Sequence, residues 1–236
     1  MNMNLTTITL PEVLSLKTDA PFSEKIWSDY RAEALLLTPK VVQTKLLPSL
    51  AERFDFVPFT SQTHHLLTNV NALLEREFPR HGAAMHFLLS TLPLPGLFDP
   101  IMQAHAYHNC LQYWVCVDKQ NGRTVGTVGA FLSNTDHERN IWGGWLAVDR
   151  EYRSYGIGMG LIEFVVGFGQ LFGEKHGQKY MRILTSDEPH VAKARELYKA
   201  WRCIEVGRFP NPYIPGATAI IMEGELAESP RLRAEK

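Results

Sequence analysis

The spacing of apolar residues changes along this chain, and each change marks an element. Between Ser61 and Phe78, Leu66, Leu67, Val70, Leu73 and Leu74 fall on one helical face. This predicts a helix capped by Ser61 or Thr63 and ending before Pro79. Just upstream, "RFDFVPFTS" alternates Phe54 and Phe56 and reads as a short strand. Downstream, "GAAMHFLLSTL" predicts a second helix stopped by "PLPG", and Pro95 to Asn109 reads as a loop. The period then shortens. "QYWVCVD", "TVGTVGAFL" and "IWGGWLAV" predict three strands. They are joined by the turn signal "KQNGR" and the polar loop "SNTDHERN", an antiparallel meander.

After the meander the pattern predicts a helix from about Ile157 to Phe172, ending near Gly173 or Gly177. The strand "KYMRILTS" follows. The helix "DEPHVAKARELYKAW" comes next, with Asp187 near its cap, Pro189 in its first turn and the stripe Val191, Ala194, Leu197, Tyr198 and Trp201. "CIEVGRF" and "ATAIIMEGE" are the last two strands, joined by "PNPYIPG". The order implies a mixed α/β fold with an antiparallel part and a central crossover. Residues 1–50 read as an extension packing on the main domain, with helical spacing at Phe22, Ile26, Trp27, Tyr30, Ala34 and Leu37. Residues 51–226 form the domain and 227–236 a charged tail.

Composition narrows the function. In 236 residues, 45% are hydrophobic and 21% charged, enough to build a core, and the net charge of −1 shows no basic surplus for a nucleic-acid partner. Cys110, Cys116 and Cys203 have no metal-like spacing, and their odd number suits a reducing compartment. The N-terminus lacks the basic and apolar regions of a signal peptide, and no run of about 18 apolar residues suggests a membrane span. A cytoplasmic protein is expected. The histidines, including His105 and His108 three apart, do not have the spacing of a metal site.

"YRSYGIGMG", Tyr152 to Gly160, carries the candidate chemistry. A helix N-terminus leaves backbone N–H groups without partners and favours negative charge. Glycines at Gly156 and Gly158 would let a phosphate approach the main chain, and Arg153 could add a charged contact. The loop lacks the Lys-Ser/Thr of Walker A, and its Gly-x-Gly-x-Gly spacing is not the dinucleotide fingerprint. On the glycines alone, a tight turn with close helix packing is an equal reading.

Arg153-Ser154-Tyr155-Gly156-Ile157-Gly158, following a strand that ends "WLAVD", resembles the Arg/Gln-x-x-Gly-x-Gly/Ala motif of the GCN5-related N-acetyltransferase (GNAT) superfamily. "ARELYKAW" resembles that family's second conserved helix. The resemblance spans roughly Phe54 to Glu225. It implies the GNAT fold, a twisted, mostly antiparallel mixed sheet flanked by helices. It also implies an enzyme that transfers an acyl group, acetyl above all, from acyl-CoA to an amine by direct attack on the thioester. Cofactor binding maps onto Arg153, Ser154, Tyr155, Gly156, Ile157, Gly158 and Met159 for the pyrophosphate. Leu146, Ala147 and Val148 map onto the pantetheine contacts, where one N–H would face the thioester carbonyl. Tyr198 maps onto the acid that protonates the departing thiolate.

The chain departs from the family at Val191, where an asparagine is frequent, and at Arg202-Cys203, which replaces Gly-Phe. Where some members carry a glutamate base, this chain has Gly143; Gly143 and Gly144 suggest room for an acceptor or a strand bulge. Asp136, His137, Glu138 and Glu223 are alternative bases, each also readable as a solvated loop or edge residue. Tyr213 and the stretch Phe78 to Phe87 are candidates to line the acceptor pocket. A small-molecule amine is the favoured acceptor. A peptide amine, a non-catalytic acyl-CoA-binding module and a homodimer stay open.

Overall fold

A computed structural model describes residues 48–60, 63–78, 109–133, 136, 139–211 and 215–226. The expected helical extension before residue 48, the helix at 82–92, the loop after Pro95, Tyr213 and the charged tail lie outside them.

Among the described residues, strand alternation and the turn signals produce seven strands: β1 (Phe54–Pro58), β2 (Asn109–Asp118), β3 (Thr124–Leu132), β4 (Asn140–Val148), β5 (Tyr180–Ser186), β6 (Ile204–Pro210) and β7 (Thr218–Glu225). They form one sheet in the order β1-β2-β3-β4-β5-β7-β6. The meander is antiparallel, and the β4–β5 pair alone is parallel. This is the fold class expected from the sequence.

Four helices flank the sheet among the described residues: α1 (Pro48–Arg53), α2 (Leu67–Glu77), α3 (Ile157–His176) and α4 (Ala192–Ala200). Helix α3 makes the crossover from β4 to β5. Leu161, Phe164, Val165 and Phe168 pack on Trp114, Val128, Ile141 and Ile183 on one face of the sheet, and Tyr198, Trp201 and Cys203 join the same core. By length and composition α3 is apolar enough to cross a membrane, but 78% of its most apolar window is buried, as in a core helix. It runs one turn beyond Phe172 and stops at Gly177, whose φ of 85° closes the helix in the left-handed region. Helix α2 covers the opposite face through Val70 and Leu74, against Phe59, Tyr113 and Val115.

Two expected caps take other roles. The Thr63 hydroxyl accepts from the Thr60 N–H at 2.8 Å, and a single 3-10 turn, His64–Leu66, leads into α2 without a side-chain cap. Asp187 accepts from the Thr218 N–H at 2.8 Å and donates its own N–H to the Thr218 carbonyl, so it ties β5 to β7. Pro189 opens a 3-10 turn, Pro189–Val191, ahead of α4.

Candidate functional site

The two parallel strands share only four rungs, Asn140–Tyr180 to Gly143–Ile183. Beyond them β4 stays paired with β3 and β5 with β7, so the strands part into a fork from Gly144 and Leu184 onward. A bulge helps to open it. Between the pairs Gly129–Gly144 and Thr127–Ala147, β3 advances two residues and β4 three. The extra residue, Trp145, has φ 56°, uncommon for a bulky side chain. Its ring is held edge-on by Phe78, 5.4 Å between centroids. Leu146, Ala147 and Val148 therefore lie on a strand edge that no other described strand covers. One polar group there is already engaged, because Arg153 Nε donates to the Val148 carbonyl at 3.1 Å.

The glycine loop follows directly. Asp149 caps a 3-10 turn, Arg150–Tyr152, and accepts from Arg76 at 3.0 Å and Arg123 at 3.1 Å. Ser154 and Gly156 both have positive φ, 74° and 87°. The Gly160 N–H bonds the Gly156 carbonyl at 3.0 Å, the first turn of α3. The N–H groups of Ile157, Gly158 and Met159 precede that bond and have no intrahelical acceptor. With the dipole of a 20-residue helix behind them, they are suited to hold an anion.

The glycines divide their roles differently from the expectation. A Cβ on Gly156 would meet Leu50 at 3.6 Å, an ordinary contact on the α1 side, so its φ requires glycine there and closeness to a ligand does not. A Cβ on Gly158 would sit between Val148 and Leu197, at 3.6 and 3.5 Å, in the gap between the end of β4 and α4. Gly160 accepts the edge of the Phe56 ring, which would lie 3.0 Å from a Cβ at that position, and serves packing. Arg153 turns away from the loop: its Nη2 pairs with Glu77 of α2 at 2.6 Å. Ser154 and Tyr155 are exposed, and the Tyr155 ring lies 4.8 Å from the Arg53 guanidinium. Met159 accepts from Trp201 Nε1 through its sulfur, which joins the start of α3 to the end of α4.

Tyr198 is 6% exposed, within the core beneath α3 and α4. Burial, then the neighbouring Cys203, pushes its hydroxyl well above the ordinary tyrosine value. The group is therefore neutral and a donor. Leu197, the preceding residue, stands beside Val148 and Gly158, so α4 closes this side of the fork.

For the expected base, the structure brings two corrections. Gly143 points to Val165 and Ile183 beneath α3, at 3.4 and 3.6 Å, so a carboxylate there would be buried under the helix and could not face an acceptor. Gly144 offers no room, because the Phe131 ring fills its Cβ side at 2.7 Å; the bulge is one residue further on. Asp136 and Glu223 come together instead. Arg182 Nη1 donates to Asp136 Oδ2 at 3.3 Å, and its Nε donates to Glu223 Oε2 at 2.7 Å. His137 and Glu138 lie outside the described residues. Sequence reasoning missed Arg182, whose only signal was a charge inside a strand. Among the described residues no group of three or more His, Cys, Asp or Glu is placed to hold a metal ion.

Known proteins share this fold. Residues 109–201 match the family model of an acetyltransferase (GNAT) domain. A GNAT-family protein from Desulfovibrio desulfuricans superposes with a TM-score of 0.54 at 16% identity, over 73% of this chain and 99% of that one. The NatC complex bound to Gag peptide and CoA gives 0.54 at 16% identity, over 73% and 98%. An N-acetyltransferase from Staphylococcus aureus Mu50 gives 0.50 at 13% identity, over 73% and 98%. At these identities the likeness is one of fold. No curated protein matches the chain.

Proposed function

Residues 109–201 belong to the GNAT acetyltransferase family, and from that premise we propose that this protein transfers an acetyl group from acetyl-CoA to an amine. The observation that carries the proposal is the β4–β5 fork opening beside the unpartnered N–H groups of Ile157, Gly158 and Met159. The fit is chemical as well as spatial. A diphosphate needs N–H donors and positive potential, and the start of α3 supplies both. A pantetheine arm is an amide-bearing strand mimic, and the free edge at Leu146, Ala147 and Val148 offers it backbone pairing.

Bound there, acetyl-CoA supplies a thioester carbonyl to the amine, and a C–N bond forms as the C–S bond breaks. The β4 edge holds the arm and lends an N–H to the developing oxyanion. Tyr198, kept protonated by burial, donates to the departing sulfur. We place the protein in the cytoplasm, where its thiols stay reduced, and take a small amine as acceptor.

Calorimetric titration with CoA and a thiol-release screen of amines, amino acids, polyamines and peptides test this reading. Micromolar CoA binding with thiol release from a subset of amines is expected. Binding without release from any acceptor would make the chain an acyl-CoA-binding module. Release with peptides alone would move the acceptor class. Absence of CoA binding would overturn the proposal.

A further inference from the structure

Among the described residues, the face of the sheet opposite α3 carries a charge cluster with one cation and two anions. Register places its parts. Trp142 is paired with Arg182, one rung before the fork opens, and Arg182 is paired with Glu223 on β7. Asp136 Oδ2 also accepts from Trp142 Nε1 at 2.9 Å and Asn140 Nδ2 at 2.8 Å. Trp142 stacks on Phe131 and lies 5.9 Å from the Arg182 guanidinium. Three strands and a loop thus converge on one guanidinium.

The cluster is unbalanced in charge and in hydrogen bonds. Two carboxylates against one guanidinium leave an excess of one negative charge. Asp136 is 10% exposed, and its Oδ1 is buried without a hydrogen-bond partner among the described residues. Glu223 is 19% exposed and spends one oxygen, Oε2, on Arg182. A partly buried anionic excess calls for a cation. On the α3 side, Gly158 and Leu197 close against Val148. On the Glu223 side, Leu184, the first residue of β5 beyond its pairing with β4, is 41% exposed.

Resting on the acetyltransferase reading, we propose that Glu223, positioned by Arg182 and Asp136, is the catalytic residue that takes the proton of the incoming ammonium. The acceptor arrives as R–NH3⁺ and meets the anionic excess. One proton passes from nitrogen to the carboxylate of Glu223 and on to solvent. The lone pair so freed forms the C–N bond to the thioester carbon, and the C–S pair leaves on sulfur. The second nitrogen proton reaches that sulfur through Tyr198 and gives the free thiol. Asp136 shares Arg182, so the guanidinium's charge is not spent wholly on Glu223.

The test uses the full chain with an acceptor found in the thiol-release screen. Glu223→Gln should lower kcat about 100-fold while the Kd for acetyl-CoA stays within twofold. Glu223→Asp should recover part of the loss. Glu225→Gln, two residues along the same face, should match the wild type. The pH profile separates chemistry from folding. The groups facing Glu223 are Arg182 and Asp136, with Tyr180 and Glu225 next on that face. The Glu223→Gln defect should shrink as pH climbs toward the amine's own pKa, about 10.4 for a lysine-like acceptor, because free amine then needs no base. Wild-type kcat in Glu223→Gln, or a defect constant with pH, overturns the proposal. A wild type that binds acetyl-CoA but releases no thiol overturns the acetyltransferase reading and this inference with it.

Discussion

Gly156 separates two explanations of the glycine loop. With φ at 87° and a Cβ site only 3.6 Å from Leu50, the residue is held by conformation and not by space. Gly156→Ala therefore pays for a left-handed alanine, about 1–2 kcal/mol, and meets no clash that would add to it. In a domain of this size that lowers Tm by about 2–8 °C, at roughly 2–4 °C per kcal/mol. Gly156→Asn should cost clearly less, because asparagine tolerates this region. Thermal unfolding of the three proteins without ligand, followed by circular dichroism, reads the effect directly. Calorimetric acetyl-CoA titration of the same samples shows whether binding falls in parallel. The reasoning fails if alanine leaves Tm unchanged, or if alanine and asparagine cost the same. Loss of binding at full stability would restore direct approach of a phosphate to Gly156.

Three further outcomes follow from the same geometry. Tyr198→Phe removes the neutral donor and keeps the packed ring, so turnover should fall at least about tenfold with acetyl-CoA Kd and Tm nearly unchanged; steady-state kinetics with unaltered kcat would refute the acid role. Arg153→Ala should weaken acetyl-CoA binding less than about threefold, because the guanidinium is committed to Glu77, and the pair, half-exposed on its Arg153 side, should contribute no more than about 1 kcal/mol to stability; a tenfold loss by calorimetry would return Arg153 to the phosphate. Burial pushes the Cys203 thiol from 9.0 up to about 11. A raised native value means the unfolded chain releases this proton first, so the contribution to stability is complete below about pH 9 and is lost as pH rises through about 11. Mass-spectrometric mapping of alkylation at about pH 8 should find Cys203 unmodified until denaturant is added.

The parts of the fold legible from sequence were those set by local physics. The pattern of "TVGTVGAFL" placed strand β3 at its observed bounds, Thr124–Leu132, and the apolar-rich stretch after Gly156, interrupted by Glu163 and Gln170, placed α3, because a helix buried along most of its length needs such a stretch. Caps were less legible. Asp187 and Thr63 had the right chemistry for helix starts, but each found a nearer backbone partner in the folded chain, Thr218 and Thr60.

The loop motif likewise announced an anion-suited helix start, since orphan N–H groups and the helix dipole come with the chain's own next turn. What remained hidden depends on contacts between distant residues. Arg153 pairs with Glu77, 76 positions away, and Arg182 joins Asp136 and Glu223, 46 and 41 positions away. The fork and the Trp145 bulge are properties of register between strands, not of the residues on either one. Gly143 illustrates the difference. Its position in β4 was readable, but which face it presents was set by the packing of α3 against the sheet, and that face is the one no acceptor can reach. The sequence determined the elements, their order and the anion-suited turn, because those follow from the periods and end effects of a single segment. Only the tertiary structure decided where the sheet opens and which charges meet there, because those depend on pairing energies summed over strands that lie far apart in the chain.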